Sequence, residues 1–344
     1  MGNSDPDILI FHISDLHFGP YLQGTTKLGE WSSFAASHDY NLLQGMETAL
    51  DFSKTINEFK DRLIVAITGD MTTAAEPPAY ESVNNYIRDY PYVSSVLQVG
   101  LRLQVIQDRI FFVPGNHDMW IYGNLFTRWK GYADRKEQYA RYFSERLPNV
   151  YPLVINGISI VVFTIDSNRT KRLNPFNFRN ALGRGEVGKP QIADIHTLHN
   201  RLLRNENVPE GFDYQSSLKI ALMHHHLALP LDFPENIEQN FLKIEDSGPV
   251  LNLLYEIGVH LVLCGHQHFP YHIPKLQSDL RPDHSLFLSC AGSATQLGCH
   301  RNSFSSYRIK KNKDKYNLHI TVYESDPINQ NYFFKRAADA EYDI

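Results

Sequence analysis

The sequence predicts a layered α/β domain, with helices packed on β-strands and a ligand site at the carboxyl ends of the strands. Two observations carry this prediction. Apolar runs of strand length alternate with amphipathic segments of helix length as far as residue 264, and strands without intervening helices follow from residue 285. Several of the apolar runs also end in polar clusters rich in Asp, Asn and His, where a functional turn is expected.

The predicted strands are short and nearly continuous in apolar residues, which is typical of strands covered on both faces. They fall at residues 8–13, 63–68, 111–113, 158–165, 218–223, 260–264, 286–289, 306–309 and 318–323. His12 interrupts the first strand, and we interpret it as a hydrogen-bonded histidine of the core. The first two strands, joined by a helix, predict a parallel βαβ unit.

Amphipathic spacing predicts the helices that pack on these strands. They fall at residues 42–59, 80–88, 135–146, 191–203 and 250–257. The loops at 18–41, 119–134, 167–188 and 227–247 are expected to set substrate specificity, and the first of them is a candidate rim or lid. Residues 1–324 are predicted to form a single domain, followed at 325–344 by a C-terminal tail or the start of a linker.

The composition excludes some classes of protein. The chain has 344 residues, 42% of them hydrophobic, and can therefore bury a large core. Its formal net charge of -5 gives no overall attraction to nucleic acid or acidic membranes. Three cysteines, Cys264, Cys290 and Cys299, without C-x-x-C spacing favour a reducing compartment over a disulfide framework. Since no secretory leader and no apolar run of membrane-spanning length is present, we expect a cytoplasmic protein without membrane contact.

Five polar clusters follow predicted strands. They are Asp15-Leu16-His17, Gly69-Asp70, Gly115-Asn116-His117-Asp118, His224-His225-His226 and Gly265-His266-Gln267-His268. Each cluster alone is a weak signal, because an isolated Asp or His at a turn often serves only as a cap. Together they predict one site, because the carboxyl ends of strands in a layered fold meet at one edge.

The residue types in these clusters indicate a metal centre. Asp, Asn and His form a mixed oxygen and nitrogen ligand set that suits divalent ions such as Mn, Fe, Zn, Ni or Co. Seven positions qualify, namely Asp15, His17, Asp70, Asn116, one histidine of the 224–226 run, His266 and His268. A single catalytic ion uses only three or four protein ligands. The count therefore predicts two ions that share one carboxylate.

The five clusters, in this order, resemble the motif series of the calcineurin-like metallophosphoesterases. Gly185-Glu186 and Gly292-Ser293 are also similar to that family, and the resemblance spans residues 8–323. It implies a four-layer fold, in which a central β-sandwich of two mixed sheets is flanked by helices and carries a dinuclear metal centre at the strand ends. The implied cofactors are two divalent metal ions, Mn, Fe, Zn or a mixture.

The resemblance also implies a division of the ligands between the two metals. One set is Asp15, His17, Asp70 and His268, and the other is Asp70, Asn116, His224 and His266, with Asp70 bridging. His224 is favoured over His225 as the ligand from the triplet. At His226 the chain departs from the family, whose members usually have proline there, so the register of the triplet stays open.

The remaining polar residues of the third cluster are then available for catalysis. His117 is expected to act as a general acid or to stabilise charge near the leaving oxygen. Asp118 is expected either to support His117 as a neighbouring carboxylate or to cap the following turn.

The motif set is most similar to the cyclic-nucleotide and general phosphodiesterase branches of the family. The favoured function is therefore hydrolysis of a small phosphodiester, such as a cyclic nucleotide or a nucleotide derivative, by water activated between the two metals. Met71-Thr72-Thr73 follows Asp70, where protein serine/threonine phosphatases have Asp-Arg-Gly. This difference argues against a phosphoprotein substrate.

Two alternatives stay open on the sequence alone. A DNA or RNA nuclease would follow a phosphate backbone with a basic stretch, which consists of Arg169, Lys171, Arg172, Arg179 and Arg184 interleaved with Phe176 and Phe178. A solvated loop is the simpler interpretation of that stretch. The other alternative is a non-catalytic scaffold, and the complete set of candidate ligands argues against it.

Overall fold

The computed structural model describes residues 7–19, 40–50, 58–73, 75–89, 92–93, 98–101, 103–119, 132–143, 146–168, 185–230, 243–278, 281–296, 301–312 and 315–344. Its strands are β1 Asp7–Ile13, β2 Leu63–Ile67, β3 Tyr92–Val93, β4 Gln98–Val99, β5 Ile110–Phe112, β6 Asn149–Ile155, β7 Ile158–Thr164, β8 Leu218–Leu222, β9 Leu261–Cys264, β10 Tyr271–Ser278, β11 Arg281–Cys290, β12 Asn302–Asn312, β13 Lys315–Asp326 and β14 Asn331–Asp343. Its α-helices include α1 Tyr40–Leu50, α2 Pro77–Asn84, α3 Tyr132–Phe143, α4 Lys189–Leu203 and α5 Ser247–Glu256. None of the helices in these ranges combines the length and apolar character needed to span a bilayer.

Two six-stranded sheets form the centre of the fold. The first has the order β14-β13-β12-β1-β2-β5, in which β1, β2 and β5 are parallel and the other pairs are antiparallel. The second has the order β10-β11-β9-β8-β7-β6, with antiparallel strands at both edges of a parallel centre. Both sheets are therefore mixed, and the predicted parallel pairing of the first two strands is confirmed.

The two faces of the second sheet have different packing partners. In β7, Ile158, Ile160 and Val162 join the hydrophobic cluster that also contains the first sheet. The intervening Val161 and Phe163 join a second cluster, which contains apolar side chains of α4 and α5. Because alternate side chains of a strand point to opposite faces, these memberships place the second sheet between the first sheet and helices. The predicted sandwich of two mixed sheets with flanking helices is confirmed.

The interpretation of His12 as a hydrogen-bonded core residue is also confirmed. His12 is fully buried, and its ring nitrogens lie 3.1 Å from the Tyr307 hydroxyl and 2.9 Å from the Thr68 hydroxyl. In α3, the buried rings of Tyr139 and Phe143 contact the ring of Tyr80. The Tyr80 hydroxyl donates to the Asp118 carbonyl, so this aromatic packing also supports the third polar cluster.

Two strands of the second sheet, β6 and β10, were not predicted. Both are edge strands with partly exposed side chains. Lys275 and Gln277 interrupt the apolar residues of β10, and Pro152 stands inside the apolar run of β6, where proline argues against a strand. A signal for β6 was nevertheless present, because Asn156-Gly157 joins it to β7 with φ angles of 49° and 76°. An Asn-Gly pair with both residues in the left-handed region is typical of a tight hairpin turn.

The C-terminal residues differ from the predicted tail or linker. Asn331–Asp343 forms β14, which pairs with β13 in the first sheet. Phe334 is buried in the shared core against the ring of Phe304, whereas the preceding Phe333 is 63% exposed. The polar sequence concealed this strand, because one face of an edge strand meets solvent and carries few apolar residues.

We expect Phe334→Ala to lower the free energy of unfolding by about 3–5 kcal/mol, because it removes a buried ring from the core. The matched control Phe333→Ala should change it by less than about 0.5 kcal/mol, since that ring is exposed. Urea unfolding of the two variants measures the difference. Equal urea midpoints for the two variants would mean that β14 does not pack on the core through Phe334.

Candidate metal centre

The five polar clusters lie at the carboxyl ends of β1, β2 and β5 in the first sheet and of β8 and β9 in the second. Hydrogen bonds tie the loops together within and between the sheets. The Asp15 amide donates to the Gly69 carbonyl at 3.0 Å, and His224 Nδ1 lies 2.7 Å from the Thr68 carbonyl of the other sheet. The fold thus brings the predicted site residues to one place.

A first group of candidate ligands consists of Asp15, His17, Asp70 and His268. One ligand atom from each of them lies within 4.8 Å of the others. Asp15 Oδ1 is 3.1 Å from His268 Nε2 and 3.8 Å from His17 Nε2. Two carboxylates and two imidazoles at these distances can surround one divalent ion.

A second group consists of Asp70, His224 and His266, whose ligand atoms also lie within 4.8 Å of one another. His224 Nε2 is at its centre, 3.3 Å from Asp70 Oδ2 and 3.2 Å from His266 Nδ1. Asn116 Oδ1 is 3.2 Å from the same nitrogen. Asp70 belongs to both groups, and it is therefore the carboxylate that the two groups share.

The backbone at the site is strained. Five of the candidate ligands, none of them glycine, have left-handed backbones, namely Asp15, His17, Asp70, His266 and His268 with φ angles of 55°, 52°, 48°, 77° and 56°. This conformation costs about 1–3 kcal/mol for each such residue. Its concentration at the strand ends indicates that the loops are shaped for a purpose other than stability.

Buried polar atoms at the site fit a cation. Both ring nitrogens of His17 are buried and have no hydrogen-bond partner. A buried polar atom without a partner costs about 1–3 kcal/mol, and coordination of a metal removes that cost. Burial also lowers the pKa of His17 to about 3, so its imidazole is neutral and able to ligate.

The two aspartates of the site carry negative charge. Burial opposes ionisation of Asp15, but His268 and His224 together outweigh it and lower the pKa of Asp15 to about 2. Burial likewise opposes ionisation of Asp70, but the combined effect of His224, His117 and His17 holds the pKa of Asp70 well below its usual range. Burial also opposes protonation of His224, but Asp70, Asp15 and the Thr68 carbonyl together raise its pKa to about 9. The site therefore attracts positive charge.

His117 lies beside the two groups, with its ring 4.9 Å from the ring of His17. Its amide donates to Asp70 Oδ1 at 2.8 Å, which links the backbone of His117 to the shared carboxylate. Its Nδ1 lies 3.0 Å from the Thr73 carbonyl. Because a carbonyl only accepts, Nδ1 carries the proton in this contact.

Asp118 holds the loops of the site together. Its fully buried carboxylate accepts four hydrogen bonds of 2.9–3.2 Å, from the amides of Met71, Thr72 and Gly115 and from the Thr72 hydroxyl. These bonds join the loop after β2 to the loop after β5, whereas the predicted cap would have bound the turn that follows Asp118. Support of His117 by Asp118, the other predicted role, stays a prediction.

A family comparison bears directly on this site. The model of the calcineurin-like phosphoesterase family matches residues 8–270, which is well over half of the chain. The chain belongs to this family. The match contains all five polar clusters of this phosphoesterase.

Solved structures show weaker similarity. Purple acid phosphatase PPD1 from yellow lupin aligns over 98% of this chain and 54% of its own, at 12% identity and a TM-score of 0.46. A predicted phosphoesterase from Streptococcus pneumoniae aligns over 98% of both chains, at 10% identity and a TM-score of 0.37. Vacuolar protein sorting 29 from Cryptosporidium parvum aligns over 99% of both chains, at 12% identity and a TM-score of 0.38. At these scores the similarities carry no argument about function, and no curated protein matches the chain.

The histidine triplet divides into three different environments. His224 points to Asp70 and Asn116, as a ligand would. His225 Nδ1 instead lies 2.9 Å from the Ser167 hydroxyl, whose oxygen accepts the amides of both His224 and His225. His226 faces away toward two cysteines. The geometry thus favours His224 over His225 as the ligand.

Ser167 supports the site, and it is not among the residues that the sequence predicted. It lies three residues after the end of β7, and it anchors the backbone of the triplet. Its neighbour Asn168 donates to the Pro114 carbonyl at 2.9 Å and so ties the second sheet to the loop after β5. The signal was available, because Asp166-Ser167-Asn168 is a sixth polar cluster behind an apolar strand.

The backbone of Gly115 and the ring of His224 lie so close to Gly69 that this position has no room for a side chain. We expect Gly69→Ala to destabilise the protein by about 1–3 kcal/mol more than Gly157→Ala and to reduce its metal content. Both glycines have positive φ angles, of 94° and 76°, so the two variants share the backbone cost. A Cβ on Gly69 would lie 2.5 Å from Gly115 N and from His224 Nδ1, whereas one on Gly157 meets nothing within 4 Å. Urea unfolding and elemental analysis would contradict this expectation if the two variants behaved alike.

Four predicted features lie wholly or largely outside the described residues. They are the specificity loops at 18–41, 119–134, 167–188 and 227–247, in which residues 20–39, 120–131, 169–184 and 231–242 lie outside the described ranges. The basic stretch from Arg169 to Arg184, on which the nuclease alternative rests, lies entirely within the third of these gaps.

Proposed function

We propose that the chain is a dinuclear metal-dependent phosphoesterase that hydrolyses a small phosphodiester, with cyclic nucleotides and nucleotide derivatives as the favoured substrates. The observation that carries the proposal is the position of Asp70, which belongs to both groups of candidate ligands. A shared carboxylate is what two neighbouring divalent ions require.

In this proposal the ligands divide as the sequence suggested. Asp15, His17, Asp70 and His268 hold one ion, and Asp70, Asn116, His224 and His266 hold the other. Ions held there supply an activated water and positive charge for the phosphoryl oxygens. The strained backbone of five of these residues fixes the direction of their side chains before the ions bind.

We propose that His117 gives a proton or a hydrogen bond to the leaving oxygen. The Thr73 carbonyl accepts from Nδ1 and fixes the orientation of the ring, so that Nε2 is the nitrogen that exchanges a proton or a hydrogen bond with the substrate. Asp118 supports this arrangement indirectly, because it holds the Gly115 amide against the loop at 71–72. His117 is therefore the catalytic residue, and Asp118 positions its loop.

A substrate panel tests the proposal. The purified chain, supplied with Mn²⁺, is assayed on cyclic nucleotides, an aryl phosphodiester, an aryl phosphomonoester and single-stranded DNA. We expect the small diesters to be hydrolysed with the highest kcat/KM and the DNA to remain intact. A preference for the monoester would overturn the diester assignment, salt-sensitive cleavage of DNA would favour the nuclease, and no hydrolysis at all would favour the scaffold.

A further inference from the structure

A third group of potential ligands lies behind the metal centre. His226 follows β8, Cys264 ends β9 and Cys290 ends β11, and all three are fully buried. One ligand atom from each lies within 4.8 Å of the others. Since none of these residues belongs to the two groups assigned above, the cluster requires an explanation of its own.

The sheet brings the two cysteines together. Strands β9 and β11 are parallel neighbours, and Cys264 is directly opposite Cys290 in their register. The imidazole of His226 completes the group, with Nδ1 3.9 Å from Cys264 Sγ and Nε2 4.0 Å from Cys290 Sγ. In a tetrahedral zinc site, bonds of about 2.3 Å to sulfur and about 2.0 Å to nitrogen place these atoms about 3.5 Å apart. The Nε2 to Cys290 Sγ distance would have to shorten by a few tenths of an ångström to reach that value, whereas the Nδ1 contact only shows that the ring lies beside Cys264.

The hydrogen bonds of His226 leave one ring nitrogen ready to ligate. The Tyr271 hydroxyl donates to the Ala228 carbonyl at 2.9 Å and also contacts His226 Nδ1. Because its single proton goes to the carbonyl, the hydroxyl accepts from Nδ1, and Nε2 carries the lone pair. A second partner that fixes the tautomer in this way is typical of histidines that bind metal.

We propose that His226, Cys264 and Cys290 bind a structural Zn²⁺ ion, separate from the dinuclear centre. Binding replaces the two thiol protons, which leave as two H⁺, by one Zn²⁺. Two thiolates, one neutral imidazole and Zn²⁺ have no net charge, so the group can be buried without an uncompensated charge. The Gly265 carbonyl oxygen, 3.2 Å from Cys290 Sγ, can fill the fourth position.

The donor atoms give the zinc site a different metal preference from that of the dinuclear centre. Thiolates select Zn²⁺ over Mn²⁺, whereas the carboxylates, amide and imidazoles of the dinuclear centre accept either ion.

The position of the zinc site between strand ends gives it a structural role. It joins the ends of β8, β9 and β11, and the ring of His226 lies 6.1 Å from the ring of His266. The zinc would thus brace the loops that carry His224 and His266.

Metal content and cobalt spectroscopy test the proposal. The full chain, stripped of metal under reducing conditions and reloaded with Zn²⁺, is compared with Cys264→Ser and Cys290→Ser, and with Cys299→Ser as the matched thiol control. We expect each of the first two variants to bind one zinc ion fewer per chain than the wild type and the control. Loading the wild type with Co²⁺ should give a sulfur-to-cobalt charge-transfer band, which is read without any variant.

Two results would overturn the proposal. One is a folded wild type that lacks the charge-transfer band and binds as much zinc as the two serine variants. The other is a wild type in which mass spectrometry finds Cys264 and Cys290 joined as a disulfide after isolation without reductant, with no zinc to protect them.

Discussion

Replacing Asp70 with asparagine is expected to lower kcat/KM for phosphodiester hydrolysis by about 10³-fold or more, which corresponds to about 4 kcal/mol of transition-state stabilisation. Asp70 contributes to both groups of candidate ligands, so the variant weakens both metal positions at once. It also removes the negative charge that the His224 imidazole faces at 3.3 Å. Elemental analysis should show a loss of metal together with the loss of activity.

The control for this variant is Asp194→Asn, which changes the same group on the exposed face of α4. It should leave both metal content and activity unchanged. If Asp70→Asn retained full hydrolysis and the metal content of the wild type, Asp70 would not be the shared ligand, and the division into two groups would be wrong.

Replacing His117 with alanine is expected to lower kcat by about 10²–10³-fold while metal content stays at the wild-type level. The residue stands outside both ligand groups, and its Nδ1 is engaged by the Thr73 carbonyl. The loss should be smaller for an aryl ester, whose leaving group needs little protonation, than for an alkyl ester. A residue with a merely structural role would affect both esters equally.

His196→Ala on the surface of α4 is the matched control for His117→Ala, since its side chain is 35% exposed. It should change neither kcat nor metal content. Loss of a metal from His117→Ala would identify His117 as a ligand, and the assignment of roles at the end of β5 would need revision.

The sequence predicted where the polar clusters gather, but it did not predict the edges of the fold. Asp15, Asp70 and His268 could be singled out because each follows an apolar strand, and strand periodicity is a local property of the chain. Strands β10 and β14 escaped prediction because they are partly exposed edge strands in which polar residues interrupt the apolar ones, and β6 escaped because Pro152 stands inside its apolar run. The Asn156-Gly157 turn shows that part of this information was present and unused.

The sequence by itself determined the family, the layered α/β class and the residue types that gather at the strand ends. Which of these residues contact one another depends on the tertiary structure. It turned His224 toward Asp70 and His225 toward Ser167, and it placed Cys264 opposite Cys290. These contacts join residues far apart in the chain and depend on strand order in two sheets, whereas periodicity and turn signals report only on neighbours within one element.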